Sequence, residues 1–112
     1  MSQITTHILD TMRGRPAAGV RVVFYYGEND EWTEIGRSET NEDGRAKDLV
    51  ADGKTLQPGI YKLRLETKDY FDADRITTFY PYVEIVFEIS SSEHYHVPLL
   101  LSPFGYSTYR GS

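Results

Sequence analysis

Apolar and polar residues alternate with a period of two along most of this chain, the pattern of strands whose successive side chains face opposite ways. The alternation is cleanest over residues 82–89, where Val83, Ile85, Phe87 and Ile89 share one face and Tyr82, Glu84, Val86 and Glu88 the other. Residues 20–26 align Val20, Val22, Phe24 and Tyr26, β-branched and aromatic types that suit a pleated surface. Pro58-Gly59 opens residues 60–65, whose Tyr61, Leu63 and Leu65 face one way. Residues 4–10 alternate more weakly, with Ile4, Thr6 and Ile8 against Thr5, His7 and Leu9. In residues 94–101 the core face is Tyr95, Val97, Leu99 and Leu101, and the opposite face carries His94, His96, Pro98 and Leu100. Residues 32–40 make a more polar, half-exposed strand, and residues 106–110 a returning one after the turn Ser102-Pro103-Phe104-Gly105.

Turn chemistry separates these strands. Asn41-Glu42-Asp43-Gly44 is the clearest hairpin signal, because Asp-Gly readily takes the positive φ of a tight turn, and Arg45 then projects from the first rung of the next strand. Arg13-Gly14-Arg15-Pro16 and Gly27-Glu28-Asn29-Asp30 mark further turns, and residues 51–57 a loop. Residues 69–75 can form about two turns of helix with Asp69 as N-cap, the only helix expected. About eight short strands and one short helix predict an all-β, antiparallel two-sheet sandwich in a single domain spanning residues 1–112. Internal repeats, linkers and low-complexity segments are absent from the sequence.

Composition narrows the class. The chain has 112 residues, nine tyrosines and no cysteine, which excludes both a disulfide framework and a thiolate metal site. A formal charge of −5 argues against a nucleic-acid surface. No run is long enough for a membrane span. Met1-Ser2-Gln3 leads straight into strand-like sequence, leaving no room for a secretory signal, and the chain does not close in Ser-Lys-Leu. A cytoplasmic protein is expected.

Three residues stand out for chemistry: His7, Arg45 after the Asp-Gly turn, and His96, with the closing Tyr109-Arg110-Gly111-Ser112. Together with His-Ile-Leu-Asp from His7, Gly-Arg-Pro-Ala from Gly14, Asp-Gly-Arg from Asp43, Pro-Gly-Ile-Tyr from Pro58 and the long run from His96, they carry a resemblance. The whole chain resembles the transthyretin-related enzymes, the 5-hydroxyisourate hydrolases of urate breakdown. The closing Tyr-Arg-Gly-Ser is the most specific element, since it separates these hydrolases from transthyretin proper, which has other residues where His7, Arg45 and His96 stand. The resemblance implies a transthyretin-like sandwich of two four-stranded sheets with one short helix. It also implies a homotetramer, a dimer of dimers with active sites in a channel between the dimers. The implied reaction is hydrolysis of the lactam of 5-hydroxyisourate to 2-oxo-4-hydroxy-4-carboxy-5-ureidoimidazoline, with no metal and no organic cofactor.

Those residue types suit that reaction. Imidazole titrates closest to neutral pH, so one of His7 and His96 can take a proton from water while the other orients it; His96 is favoured as base. Arg45 can stabilise the oxyanion or hold the anionic ring through its planar donor fork. Tyr109, Arg110, Gly111 and Ser112 are expected to complete the substrate pocket. His94 matches no catalytic position and is taken as peripheral. Each residue also has an ordinary reading. A strand histidine is more often a hydrogen-bonded surface group, Arg45 could be an edge-strand charge that discourages aggregation, and three imidazoles without a spaced carboxylate make a poor zinc motif. A carrier of aromatic hormones, as transthyretin is, and a monomeric interaction module are the rivals; paired histidines and the closing tetrapeptide favour the enzyme over both. Leu9, Pro98 and Leu100 on the histidine faces mark an expected interface.

Overall fold

The computed structural model describes residues 2–112 as two sheets packed over one core. In chain order the strands are β1 (Ile4–Asp10), β2 (Arg15–Pro16), β3 (Arg21–Glu28), β4 (Glu31–Glu39), β5 (Arg45–Ala46), β6 (Gly59–Leu65), β7 (Val83–Ile89), β8 (Tyr95–Ser102) and β9 (Gly105–Thr108). One sheet runs β4-β3-β6-β7. The other runs β2-β1-β8-β9, with β5 as an additional partner of β1, so it has five strands where four were expected. The inward residues are those the alternation assigned: Ile4, Ile8, Val22, Phe24, Tyr61, Leu63, Leu65, Val83, Ile89 and Leu99 are buried. Phe24 stacks on Tyr61 with ring centroids 5.4 Å apart and on Phe87 at 6.3 Å, filling the space between the sheets.

The pairing departs from the expected antiparallel pattern in one place. β1 and β8 run parallel, from Ile4 opposite Tyr95 to Asp10 opposite Leu101. Alternation reports which face a residue takes but not which way its neighbour runs, so nothing in either stretch announced this. The hairpin expectation also moved. The β3–β4 connection is the tight one, a two-residue loop in which Asn29 and Asp30 take φ of 53° and 63° between paired Glu28 and Glu31. Asn41-Glu42-Asp43-Gly44 does turn sharply, closed by Gly44 N–H donating to the Asn41 carbonyl at 2.9 Å, but β5 then pairs with β1 instead of folding back along β4.

The helix, α1, spans Thr67–Asp72 and begins before the expected 69–75 segment. Asp69 sits in its first turn and holds Arg21 at 3.0 Å instead of capping. Helix and sheet are tied at Asp10, the last residue of β1, which is buried. Its carboxylate accepts from the Tyr70 hydroxyl at 2.8 Å and from the Arg13 backbone N–H at 3.0 Å, while the Arg13 guanidinium reaches Asp74 at 2.7 Å. No helix among the described residues is long and apolar enough to cross a membrane.

A buried carboxylate that loses its role leaves its donors unpaired, a costly change. Asp10→Ala is expected to destabilise the fold by about 3 kcal/mol, with Tyr70→Phe costing less because Arg13 N–H remains. Urea unfolding of the two variants beside the parent chain measures this.

Candidate active site

The parallel register of β1 and β8 puts paired residues on the same face, so their side chains form rows across the sheet. Thr5 lies opposite His96, His7 opposite Pro98, and Leu9 opposite Leu100. On the other side of β1, Arg45 lies opposite His7. At the far side of β8, Gly111 bridges to His96, its N–H donating to the His96 carbonyl at 2.8 Å. One row therefore reads Arg45, His7, Pro98 and the next Thr5, His96, Gly111. The residues predicted for chemistry from both ends and the middle of the chain meet on the face turned away from the core.

Local backbone geometry brings each of them there. Gly44 has a φ of +74°, and a Cβ on it would stand 2.6 Å from the Ile8 carbonyl oxygen, so the turn lies directly on β1. Ile8 N–H donates to the Gly44 carbonyl at 2.8 Å, and Arg45 follows beside His7. Glycine at 111 has a steric reason too. A Cβ there would lie 2.7 Å from His96 Cδ2 and 3.0 Å from Pro98 Cγ, so the tail rests against the imidazole because it has no side chain. The loop before β8 is held by Tyr95, whose hydroxyl oxygen accepts from Ser90 N–H at 3.0 Å and Ser91 N–H at 3.2 Å. Bonds from Ser90 and then Ser91 favour the phenolate and lower the Tyr95 phenol to about 8.

The two imidazoles are held toward their neutral forms. Partial burial lowers the pKa of His7 most, followed by the field of the Arg45 guanidinium; the nearby Asp43 works the other way. His96 is lowered first by burial, then by Arg45, His94 and His7. Arg45 itself makes no ion pair among the described residues, whereas Arg13, Arg21, Arg37, Arg64 and Arg110 each hold a carboxylate. Two neutral bases beside an uncommitted guanidinium can deprotonate a water and receive the charge it creates on a carbonyl.

The tail divides. Gly111 reaches His96, with exposed Ser112 after it. Arg110 turns to the other side of β8, paired with Glu93 and lying over the Tyr95 ring at 4.4 Å from its centroid. With Tyr109 and His96 it lines a cleft of about 280 Å³ against β7, a cleft that neither His7 nor Arg45 borders. Arg110 therefore anchors the tail from behind. Two further residues lie against His96: Thr5, assigned no role from the sequence, whose hydroxyl lies 2.8 Å from His96 Nδ1, and His94, expected to be peripheral, whose Nε2 lies 2.9 Å from the same hydroxyl. Strand alternation carried the signal for both, since Thr5 shares a face with His7 and His94 with His96. Among the described residues no group of three or more His, Asp or Glu is placed to hold a metal ion.

A β-sandwich with two histidines and an arginine gathered on one outer sheet face is the class this geometry defines. Residues 4–111 match the family model described as the HIUase/Transthyretin family, and the chain belongs to that family. A probable 5-hydroxyisourate hydrolase of Caenorhabditis elegans is 50% identical over 112 residues, covering 99% of this chain and 82% of that protein. The 5-hydroxyisourate hydrolase of Mus musculus is 45% identical over 114 residues, covering 99% and 96%. Among solved structures, Klebsiella pneumoniae 5-hydroxyisourate hydrolase superposes with a TM-score of 0.85 at 36% identity, covering 97% of this chain and 98% of that one. Sea bream transthyretin in complex with thyroxine gives a TM-score of 0.90 at 30% identity, covering 97% and 94%.

Lowered imidazole pKa values have a directional consequence. The unfolded chain binds protons more readily at these histidines, so stability falls as pH drops from the ordinary imidazole value toward the lowered ones. Arg45→Gln removes the positive field from both rings and is expected to raise both pKa values. Titration of the imidazole Hε1 protons by NMR reads this directly; two unchanged curves would leave burial as the whole cause.

Proposed function

We propose that this chain hydrolyses 5-hydroxyisourate, the step its hydrolase relatives are named for. The observation that carries the reading is the convergence of Arg45, His7 and His96 in adjacent rows of one sheet face, beside a glycine tail that packs against His96. In this reading His96 takes a proton from water, favoured in that role because the tail covers its ring, while His7 orients the water. The water oxygen bonds to the lactam carbonyl carbon, and the Arg45 guanidinium receives the charge that gathers on the carbonyl oxygen. As the ring C–N bond breaks, the imidazolium returns its proton to the departing nitrogen. Atoms balance without any other reactant: one water is added, one of its hydrogens ends on the departing nitrogen and the other on the new carboxyl group, which then ionises to solvent. No metal or organic cofactor takes part. Thyroxine in a fish transthyretin of similar fold marks the carrier alternative, but that protein is less similar in sequence than the hydrolases are.

The same proposal includes a cytoplasmic homotetramer, a dimer of dimers in which the histidine faces of two dimers close over the site. Leu9 and Leu100 support it, since they stand opposite each other on that face and remain only half covered in the single chain. Ser112, next to Gly111, completes the pocket on the tail side, and Tyr109 and Arg110 hold the tail.

The test generates 5-hydroxyisourate from urate with a urate oxidase and follows its ultraviolet decay with chelator present. Acceleration well above the spontaneous rate is expected; none would remove the hydrolase reading. His7→Asn and His96→Asn are each expected to lower kcat about 100-fold or more, and Arg45→Lys not to restore the parent rate. The acid limb of kcat/KM is expected below the ordinary imidazole value of 6.5, because burial and Arg45 keep both rings neutral.

Assembly has its own test. Leu100→Arg places like charges near a two-fold axis and removes apolar contact. Light scattering is expected to show folded dimers, and the decay assay a strongly reduced rate. A folded dimer with the parent turnover would show that one dimer holds complete sites.

A further inference from the structure

Thr5 is a short hydroxylated residue, only 8% exposed, on the strand beside His96. Its Oγ1 lies 2.8 Å from His96 Nδ1 and 2.9 Å from His94 Nε2, and the two rings are 6.3 Å apart between centroids and 21° from coplanar. A hydroxyl has one hydrogen to give and lone pairs to receive. With a neutral imidazole on either side, the three groups form a chain that runs in one of two directions. In the first, His96 Nδ1–H donates to Thr5 Oγ1, and the Thr5 hydroxyl donates to His94 Nε2. In the second, His94 Nε2–H donates to Thr5, and Thr5 donates to His96 Nδ1.

The directions differ in what they leave at the far edge of the His96 ring. The first puts the ring proton on Nδ1 and leaves Nε2 bare, able to take a proton from water. The second puts the ring proton on Nε2, where the ring can only donate. From this geometry we infer that Thr5 and His94 are positioning residues that set the tautomer of His96, holding its proton on Nδ1 so that Nε2 is the basic atom. The inference rests on the reading of His96 as the base. Once Nε2 has taken a proton, the ring is cationic and its Nδ1–H bond to Thr5 is charge-assisted, so the tie strengthens as water is deprotonated. His94, at the exposed end, accepts the Thr5 hydrogen that would otherwise compete for His96.

Two-bond ¹H–¹⁵N correlation NMR of the ¹⁵N-labelled chain, at a pH where the imidazoles are neutral, assigns the tautomer without reference to activity. His96 is expected as the Nδ1–H form in the parent protein and in Thr5→Ser, and as a mixture or the Nε2–H form in Thr5→Val. In the decay assay Thr5→Val is expected to lose about tenfold in kcat with KM nearly unchanged, part of the usual acid–base contribution, and Thr5→Ser to recover most of it. His94→Phe, which keeps a ring but offers no acceptor, should shift the tautomer in the same direction with a smaller loss. Should Thr5→Val not fold, the parent spectrum and His94→Phe still decide. An Nε2–H ring in the parent protein, or an unchanged tautomer in Thr5→Val or His94→Phe, overturns the inference. Failure of the base reading looks different: His96→Asn would stay active while the tautomer assignments held.

Discussion

Everything on the outer sheet face depends on the register between β1 and β8. Because paired residues of these parallel strands share a face, one offset places Thr5 beside His96, His7 beside Pro98 and Leu9 beside Leu100. A slip of one residue would turn either set of side chains toward the core and bury imidazoles among Ile4, Ile8 and Leu99. The register is held from both faces and at both ends. Ile4 and Ile8 fix the inner side, and the Thr6 hydroxyl donates to the Val97 carbonyl at 2.6 Å. The Gln3 amide nitrogen reaches the Ser91 and Glu93 carbonyls at 3.2 Å, while Thr11 N–H donates to Leu101 at 2.8 Å. Each bond is modest alone, and the apolar core that excludes the slipped alternative does most of the selecting.

Electrostatics on this face follow from what the fold leaves unpaired. The chain as a whole is acidic, yet Arg45 stands beside two imidazoles with no ion pair among the described residues, and its field reinforces their partial burial. The result is a cationic centre next to neutral bases, an arrangement that would be wasteful as packing. It costs proton affinity at the histidines and leaves the Arg45 guanidinium without an ion pair among the described residues.

The end of the chain is held by two contacts on opposite sides of β8. Arg110 clasps Glu93 and the Tyr95 ring behind the sheet edge, and Gly111 crosses to rest on His96 in front. A charged residue and a glycine in succession thus have separate tasks, one to anchor and one to let the backbone approach. Their neighbour Tyr95 ties the loop that precedes the histidines through two backbone N–H groups. The His-Tyr-His run is fixed on both of its faces as a consequence.

Much of this molecule was legible in the chain alone. The inward residues of β3, β6, β7 and β8 follow from alternation, because a strand's period of two records burial at every position. His7, Arg45 and His96 were legible as a set through the resemblance of the motifs around them. The sequence could not say that β1 and β8 run parallel, that β5 leaves β4 to pair with β1, or that α1 begins at Thr67 with Asp69 turned to Arg21. Those outcomes rest on competition between distant partners, and no local pattern encodes it. The same holds for Arg110, whose pairing with Glu93 and stacking on the Tyr95 ring no motif announces. Thr5 and His94 make the point most sharply. Each is unremarkable in its own stretch of chain, and only the pairing of segments 89 and 91 residues apart sets one hydroxyl between two imidazoles.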